Sequence, residues 1–441
     1  MKLLTSVAPI GLALLLTGCP LTDHYRLLED DPAGLDQGGG SGTVGGAGET
    51  GGEPNLAASG AGSGGETASC TVGCNAPRRC VANRCESGWV PMAPPPLALV
   101  ARSKAASVAV GNAVFIWGGL DNNGAALGNG AIYHPTTDKW TPLPMDTGSP
   151  TPRIMATAVW TGDASNKVIV YGGTDAAGGM VFKDGAVYDI TNNMWMSLPP
   201  NPSPSKRSAP FGYWDGTRAV FFGGLNAMSS TVAGADRFDL KSWSSSTSNG
   251  DPGLLGFPAI AFDGTVMYLQ GGVIAGIRQD KAYAYTSSTD TWASLSKSLS
   301  VRTGAFGAWD GARFVVWGGQ DDDGLRDDGK TMSGQTWAEM STSGVLSARR
   351  IGFRRSGWAF QVKPGVIAML GGQTSISGSS GTLATDGATY AVDSAEWTAI
   401  PSWSSLESHE YGIGVWTGEE FVIWGGRDQN VSTLTGERWA P

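Results

Sequence analysis

Charge is the first thing this sequence has little of. Only 16% of its 441 residues are Asp, Glu, Lys or Arg, and the balance is acidic, with 30 Lys and Arg against 39 Asp and Glu. A chain without a basic surplus has little to neutralise a run of phosphates, which argues against nucleic acid as a partner and against polybasic docking on anionic lipid. Histidine is scarcer still, 3 in all, and the 5 cysteines all lie in the first 85 residues. Beyond them only His134 and His409 remain, too few for a histidine-rich metal site or a cysteine–histidine nucleophile. No Gly-x-Ser-x-Gly elbow stands between a strand and a helix either. No metal and no cofactor are expected. What is abundant is glycine, 66 residues, and tryptophan, 17, in a composition too poor in Glu, Lys, Leu and Ala for a helical protein.

Long apolar runs are missing too, with one exception. Leu3 to Leu16 follow Met1-Lys2 as an apolar stretch too short to span a bilayer but of the length of a signal-peptide core. It ends in Leu16-Thr17-Gly18-Cys19, which resembles the lipobox of bacterial lipoproteins. The resemblance implies a signal peptide over residues 1–18, lipidation of Cys19, and an exported protein held to the cell envelope by its N-terminal lipid, with the outer membrane as the expected location. Residues 19–69 follow as a Gly-rich linker with almost nothing to bury, expected to be disordered. As a flexible coil, about 50 residues reach roughly 40 Å, enough to hold a folded body clear of a membrane. Residues 70–88 carry Cys70, Cys74, Cys80 and Cys85, whose density in an exported chain predicts two local disulfides of open connectivity. A four-thiolate zinc site is disfavoured because the spacing has no paired C-x-x-C knuckles.

The remainder, residues 89–441, repeats. A Gly-Gly doublet closes an apolar run at Gly118, Gly172, Gly223, Gly271, Gly318, Gly371 and Gly425, at intervals of 47 to 54 residues. The runs, such as Ala113-Val114-Phe115-Ile116-Trp117, are continuously apolar, as in strands buried on both faces. Seven residues before five of the doublets stands a turn glycine, at Gly111, Gly216, Gly264, Gly311 and Gly418, predicting a hairpin. After each doublet a polar loop leads to a third strand marked by Tyr133, Tyr188, Phe238, Tyr283 or Tyr285, and Tyr390. A fourth strand opens at Trp140, Trp195, Trp243, Trp292, Trp337, Trp397 and Trp439. A four-stranded sheet of this size cannot bury both faces alone, so it must stack on its neighbours.

The doublet, the following aromatic and the later tryptophan resemble the kelch motif, and the resemblance implies an all-β, seven-bladed kelch-type β-propeller. Two units depart from the pattern, with Met332 and Leu434 where the tyrosine is usual. Trp439-Ala440-Pro441 leaves almost no fourth strand for the last unit, while Trp89-Val90-Pro91-Met92 matches Trp140-Thr141-Pro142-Leu143. Trp89 to about Pro94 is therefore expected to complete the last blade and close the ring.

Nine residues before the turn glycine, six units place Arg102, Arg153, Arg207, Leu255, Arg302 and His409, with Arg349 the counterpart in the sixth unit by tryptophan spacing and Arg355 by glycine spacing. In kelch propellers this position lies at the channel mouth, so Arg102, Arg153, Arg207, Arg302, Arg349 and His409 are expected to form a ligand-binding ring for an anion. The competing reading makes each arginine a repeat residue that ties blades together. The acidic loop Gln320 to Asp328 lacks the alternation of a calcium loop and reads as a solvated surface. His409-Glu410 is a poor acid–base pair because adjacent strand residues face opposite ways. The expected function is binding of a protein, peptide or glycan ligand, an anionic one by the argument above. The alternative is a sialic-acid mutarotase- or epimerase-like sugar isomerase, in which arginines grip a sugar carboxylate.

Overall fold

The computed structural model describes residues 79–81, 84–86 and 88–441, apart from 203–205, 248, 254, 298, 343, 351–356, 376–381, 404–408, 429 and 430. The expected signal peptide, Cys19, the linker, Cys70 and Cys74 lie outside the described residues, as does Arg355. Strands Arg79–Val81 and Arg84–Glu86 pair antiparallel with Cys80 opposite Cys85.

Seven four-stranded antiparallel sheets follow, each ordered outward from the channel axis. Blade 1 is Ala106–Val110, Ala113–Trp117, Gly130–His134 and Lys139–Pro142. The same succession recurs through blade 6, whose innermost strand is Gly357–Lys363. In blade 7 the order is Ile413–Trp416, Phe421–Trp424, Gly436–Ala440 and then Gly88–Pro91, so the outermost strand comes from the other end of the described chain. The expected ring closure is present, with Trp89 opposite Trp439.

That register corrects one detail. Trp439 stands in a third strand, at the place Tyr133 holds opposite Trp140, and Trp89 is the fourth-strand tryptophan of blade 7. Leu434 is therefore no substitute for the third-strand aromatic, whereas Met332, opposite Trp337, is. In blade 4 the equivalent residue is Tyr285, opposite Trp292.

The second strands explain why the sheets stack. Ala113–Trp117, Ala219–Phe222, Phe314–Trp317 and Phe421–Trp424 are buried along their whole length. Alternate residues face opposite neighbours: Phe115 packs on blade 2 with Tyr188 and Trp195, and Val114 packs on blade 7 with Val422 and Trp424. Among the described residues seven apolar clusters form in this way, each shared by two adjacent blades, so the hydrophobic core is a set of seams. Full burial of one such side chain is worth about 1.5–3 kcal/mol, and none is available to an isolated blade. The turn glycines are required where predicted: Gly216, Gly264 and Gly311 have φ between 93° and 104°. The aspartate before each accepts hydrogen bonds from the following amides, as Asp310 does from Ala312 and Arg313.

Candidate functional site

The seven innermost strands enclose a central cavity of about 690 Å³. Its wall is mostly small or apolar, with Ala106, Val108, Ala158, Gly212, Ile260 and Trp358 among its residues.

The six residues expected to form an open ring do not face this cavity. Arg102, Arg153 and Arg302 are each 1% exposed, Arg207 and Arg349 2%, and His409 0%. Every one is turned into its own blade. The Nη1 groups of Arg102, Arg153, Arg207, Arg302 and Arg349 donate to the carbonyls of Gly118, Gly172, Gly223, Gly318 and Gly371 at 2.8–3.2 Å. His409 Nδ1 lies 2.6 Å from the Gly425 carbonyl, and because a carbonyl only accepts, that nitrogen carries the hydrogen. The guanidinium charge is met by a side chain at or near the start of the third strand. Arg153 pairs with Asp184 at 2.8 Å, Arg207 with Asp236 at 2.8 Å, Arg302 with Asp328 at 3.2 Å and Arg349 with Asp386 at 2.7 Å, while Arg102 donates to Asn129 Oδ1 at 3.0 Å. Burial pulls Arg102 down to about 10, still charged at neutral pH.

The expected anion-binding ring is thus corrected to a ring of clamps, because each guanidinium is already engaged by carbonyls and an acid or amide of its own blade. The clamp also crosses the seam. The second glycine of the preceding doublet donates its N–H to the arginine's carbonyl: Gly119 to Arg153, Gly173 to Arg207, Gly272 to Arg302, Gly319 to Arg349 and Gly426 to Arg102, at 2.7–3.0 Å. The partners were visible in the sequence as Asn129-Gly130, Asp184-Gly185, Asp328-Gly329 and Asp386-Gly387. In blade 4, where Leu255 replaces the arginine, Lys281-Ala282 replaces the acidic pair.

The residues that do surround the channel mouth lie two positions further on. Lys104, Met155, Ala209, Phe257, Gly304 and Tyr411 all line the cavity, and all have positive φ, between 50° and 65°. Their backbones are linked from blade to blade. Lys104 N–H donates to Tyr411 O, Met155 to Lys104, Ala209 to Met155 and Gly304 to Phe257, at 2.7–2.9 Å. Lys, Met, Ala, Phe, Gly and Tyr share no side-chain chemistry, so composition could not reveal them. The usable signal was position alone.

Charge at the mouth is concentrated where blades 7 and 1 meet. Lys104 Nζ lies 4.9 Å from the centre of the Tyr411 ring, and the Arg427 guanidinium 5.1 Å from it. Arg427 pairs with Glu410 at 3.3 Å. Burial, reinforced by the Arg427 charge, pulls Lys104 down to about 8, against the opposing pull of Glu410. Glu410 is 3% exposed, so the pair His409-Glu410 presents no exposed acid and base. The acids of the 320–328 loop pair with arginines: Asp321 and Asp328 with Arg326 at 3.3 Å, and Asp322 with Arg278 at 2.8 Å.

Residues 104–308, from the mouth of blade 1 into the innermost strand of blade 5, match the family model described as the KLHDC2/KLHL20/DRC7 Kelch-repeats domain. No curated protein matches the chain.

Proposed function

The chain carries a seven-bladed kelch-repeat β-propeller, and from that premise we propose that it is an interaction module of the cell envelope, lipid-anchored through Cys19, that takes an acidic segment of a protein or glycan at the mouth of its central channel. Propellers of this type serve generally as protein-interaction scaffolds, which favours a protein ligand. One observation carries the anionic preference. Lys104 and Arg427 stand at 4.9 and 5.1 Å from one aromatic ring at the rim of the cavity, in a protein whose net charge is −9. A local cationic spot on an acidic body focuses an incoming carboxylate onto the mouth.

The test is titration of the full chain with an oligo-glutamate peptide, read by tryptophan fluorescence, against the Lys104→Glu variant. Reversing the charge is expected to weaken binding about tenfold or more while thermal unfolding stays near that of the parent. Equal binding by both proteins would remove the mouth from the account. Accelerated anomer exchange of sialic acid, followed by NMR, would turn the reading towards a sugar isomerase. The anchor is tested separately: Cys19→Ser should release the protein from the membrane fraction.

A further inference from the structure

The seam between blades 3 and 4 is built differently from the others. At five seams the doublet N–H meets the next blade's arginine carbonyl, but Gly224 N–H meets no acceptor among the described residues. Its counterpart is Leu255, whose own N–H turns back to Gly253 at 2.9 Å. The seam between blades 6 and 7, where His409 replaces the arginine, also lacks this bond among the described residues, and there the His409 carbonyl accepts from Gly412.

The outer edge tells the same story by a second route. Six fourth-strand tryptophans donate their indole N–H to a carbonyl of the preceding blade: Trp89 to Pro401, Trp140 to Ala93, Trp195 to Pro144, Trp243 to Pro199, Trp337 to Ser296 and Trp397 to Ser341, at 2.7–3.1 Å. Trp292, at the seam of blades 3 and 4, is the exception: its Nε1 is buried and has no partner among the described residues. This seam alone lacks both bonds among the described residues.

Space accompanies the missing bonds. A Cβ placed on Gly118, Gly172, Gly271, Gly318 or Gly425 would lie 2.3–2.8 Å from the next blade's arginine carbonyl, whereas one placed on Gly223 would meet nothing within 4 Å. The central cavity branches here. It is walled by Phe222, Gly223, Gly224, Leu225, Leu255 and Gly256, while no other doublet lines it. Away from this branch the seam is pinned by polar contacts, Arg237 to Asp290 at 3.0 Å and Arg218 to the Ser287 carbonyl at 2.8 Å, so it is held shut elsewhere.

We propose that this branch is a binding site for a small uncharged molecule with an apolar body and one carbonyl oxygen, the body lying against Phe222, Leu225 and Leu255 and the oxygen accepting from Gly224 N–H. The lining decides the class. Leucine stands where five other blades bring a guanidinium, and the Arg207 guanidinium at the Gly223 carbonyl is paired with Asp236, so the branch offers an anion no unpaired cation of that kind. The donor is a main-chain N–H on a half-buried residue that meets no acceptor among the described residues, so an arriving carbonyl supplies a hydrogen bond that the protein does not. Two adjacent glycines let that carbonyl approach the backbone directly.

The probe is prodan, an uncharged naphthalene carrying one ketone, whose emission shifts to the blue on leaving water. Titrated into the full chain it should give a saturable blue shift. Leu255→Arg, which fills the branch with a longer, charged side chain, should weaken it about tenfold through the loss of that space. Val108→Phe, on the channel wall of blade 1, should change it by less than about twofold. Hydrogen exchange in the parent protein gives a readout that needs no variant: saturating prodan should slow the amide of Gly224 and leave that of Gly119 unchanged. No saturable binding, binding lost only in Val108→Phe, or an unprotected Gly224 amide would each overturn the proposal.

Discussion

The three inner strands of blade 7 come to blade 1 from the far end of the sequence, whereas blades 3 and 4 are consecutive, yet the seam between blades 7 and 1 is the better bonded. At the closure Gly426 donates to the Arg102 carbonyl, Trp140 donates to Ala93, Lys104 donates to Tyr411, and Arg438 donates to the Pro135 carbonyl. Between blades 3 and 4 the doublet and indole bonds are both absent among the described residues. Covalent continuity explains the contrast. Blades 3 and 4, joined by a short connection, stay close whether or not every hydrogen bond forms, whereas the inner strands of blade 7, which meet Gly88–Pro91 and blade 1 only after the whole circuit, must recover the entropy of closing a loop of several hundred residues. The mid-chain seam is where the ring can do without bonds and keep an open branch.

Four measurements would break or sharpen this contrast. The largest effect should come from deleting residues 88–94, which strips the outer strand from blade 7, exposes the edge of Gly436–Ala440 and removes Trp89 from the cluster with Trp403, Phe421 and Trp439. A loss of about 5 kcal/mol or more, or failure to fold, is expected in chemical denaturation, and an unchanged midpoint would show that the closure is not what holds the ring. Next, Arg102→Ala should cost about 3 kcal/mol, because Gly118 and Asn129 lose their donors in a site that water does not reach. Smaller and more diagnostic is a pair of conservative changes. Trp140→Phe should cost about 1 kcal/mol more than Trp292→Phe, since only the former gives up an indole hydrogen bond. Equal costs would erase the difference between the two seams.

The smallest effect concerns pH at the closure. The folded value of Lys104, about 8, lies below its ordinary 10.5, so between these values the unfolded chain binds more protons than the folded one. Stability should therefore rise as pH increases from 8 towards 10.5, and Lys104→Met should flatten that rise by an amount on the order of 1 kcal/mol, measurable from denaturation midpoints across the range. The same titration should weaken binding of acidic ligands above pH 8, as the ammonium loses its charge.

The fold was legible where geometry leaves one residue no alternative. Most doublet glycines, Gly223 excepted, are fixed by backbone that comes within about 3 Å of any added Cβ, and Gly216, Gly264 and Gly311 by their positive φ, so each kind leaves a mark in most units. The closure could be read because Trp89 repeats the context of Trp140. The site was less legible. Spacing located Arg102, Arg153, Arg207, Arg302 and Arg349 correctly at the start of each unit but carried no information on whether a long side chain swings towards the axis or back into its blade. That choice is made by Asp184, Asp236, Asp328, Asp386 and Asn129, some 26 to 37 residues later in the chain. Trp439 was misplaced because blade 7 borrows its fourth strand, so the aromatic opposite Trp89 looked like the fourth-strand one.

The circle of left-handed residues has one more consequence. Its links between Tyr411, Lys104, Met155 and Ala209 are made wholly by main-chain groups, so the collar that frames the opening does not depend on what projects from it. Peptide dipoles arranged tangentially cancel around a loop, leaving the attached substituents to set the local field. A collar of this kind can be rewritten one substituent at a time, within what a left-handed backbone accepts, and the propeller behind it need not be rebuilt to meet a new ligand.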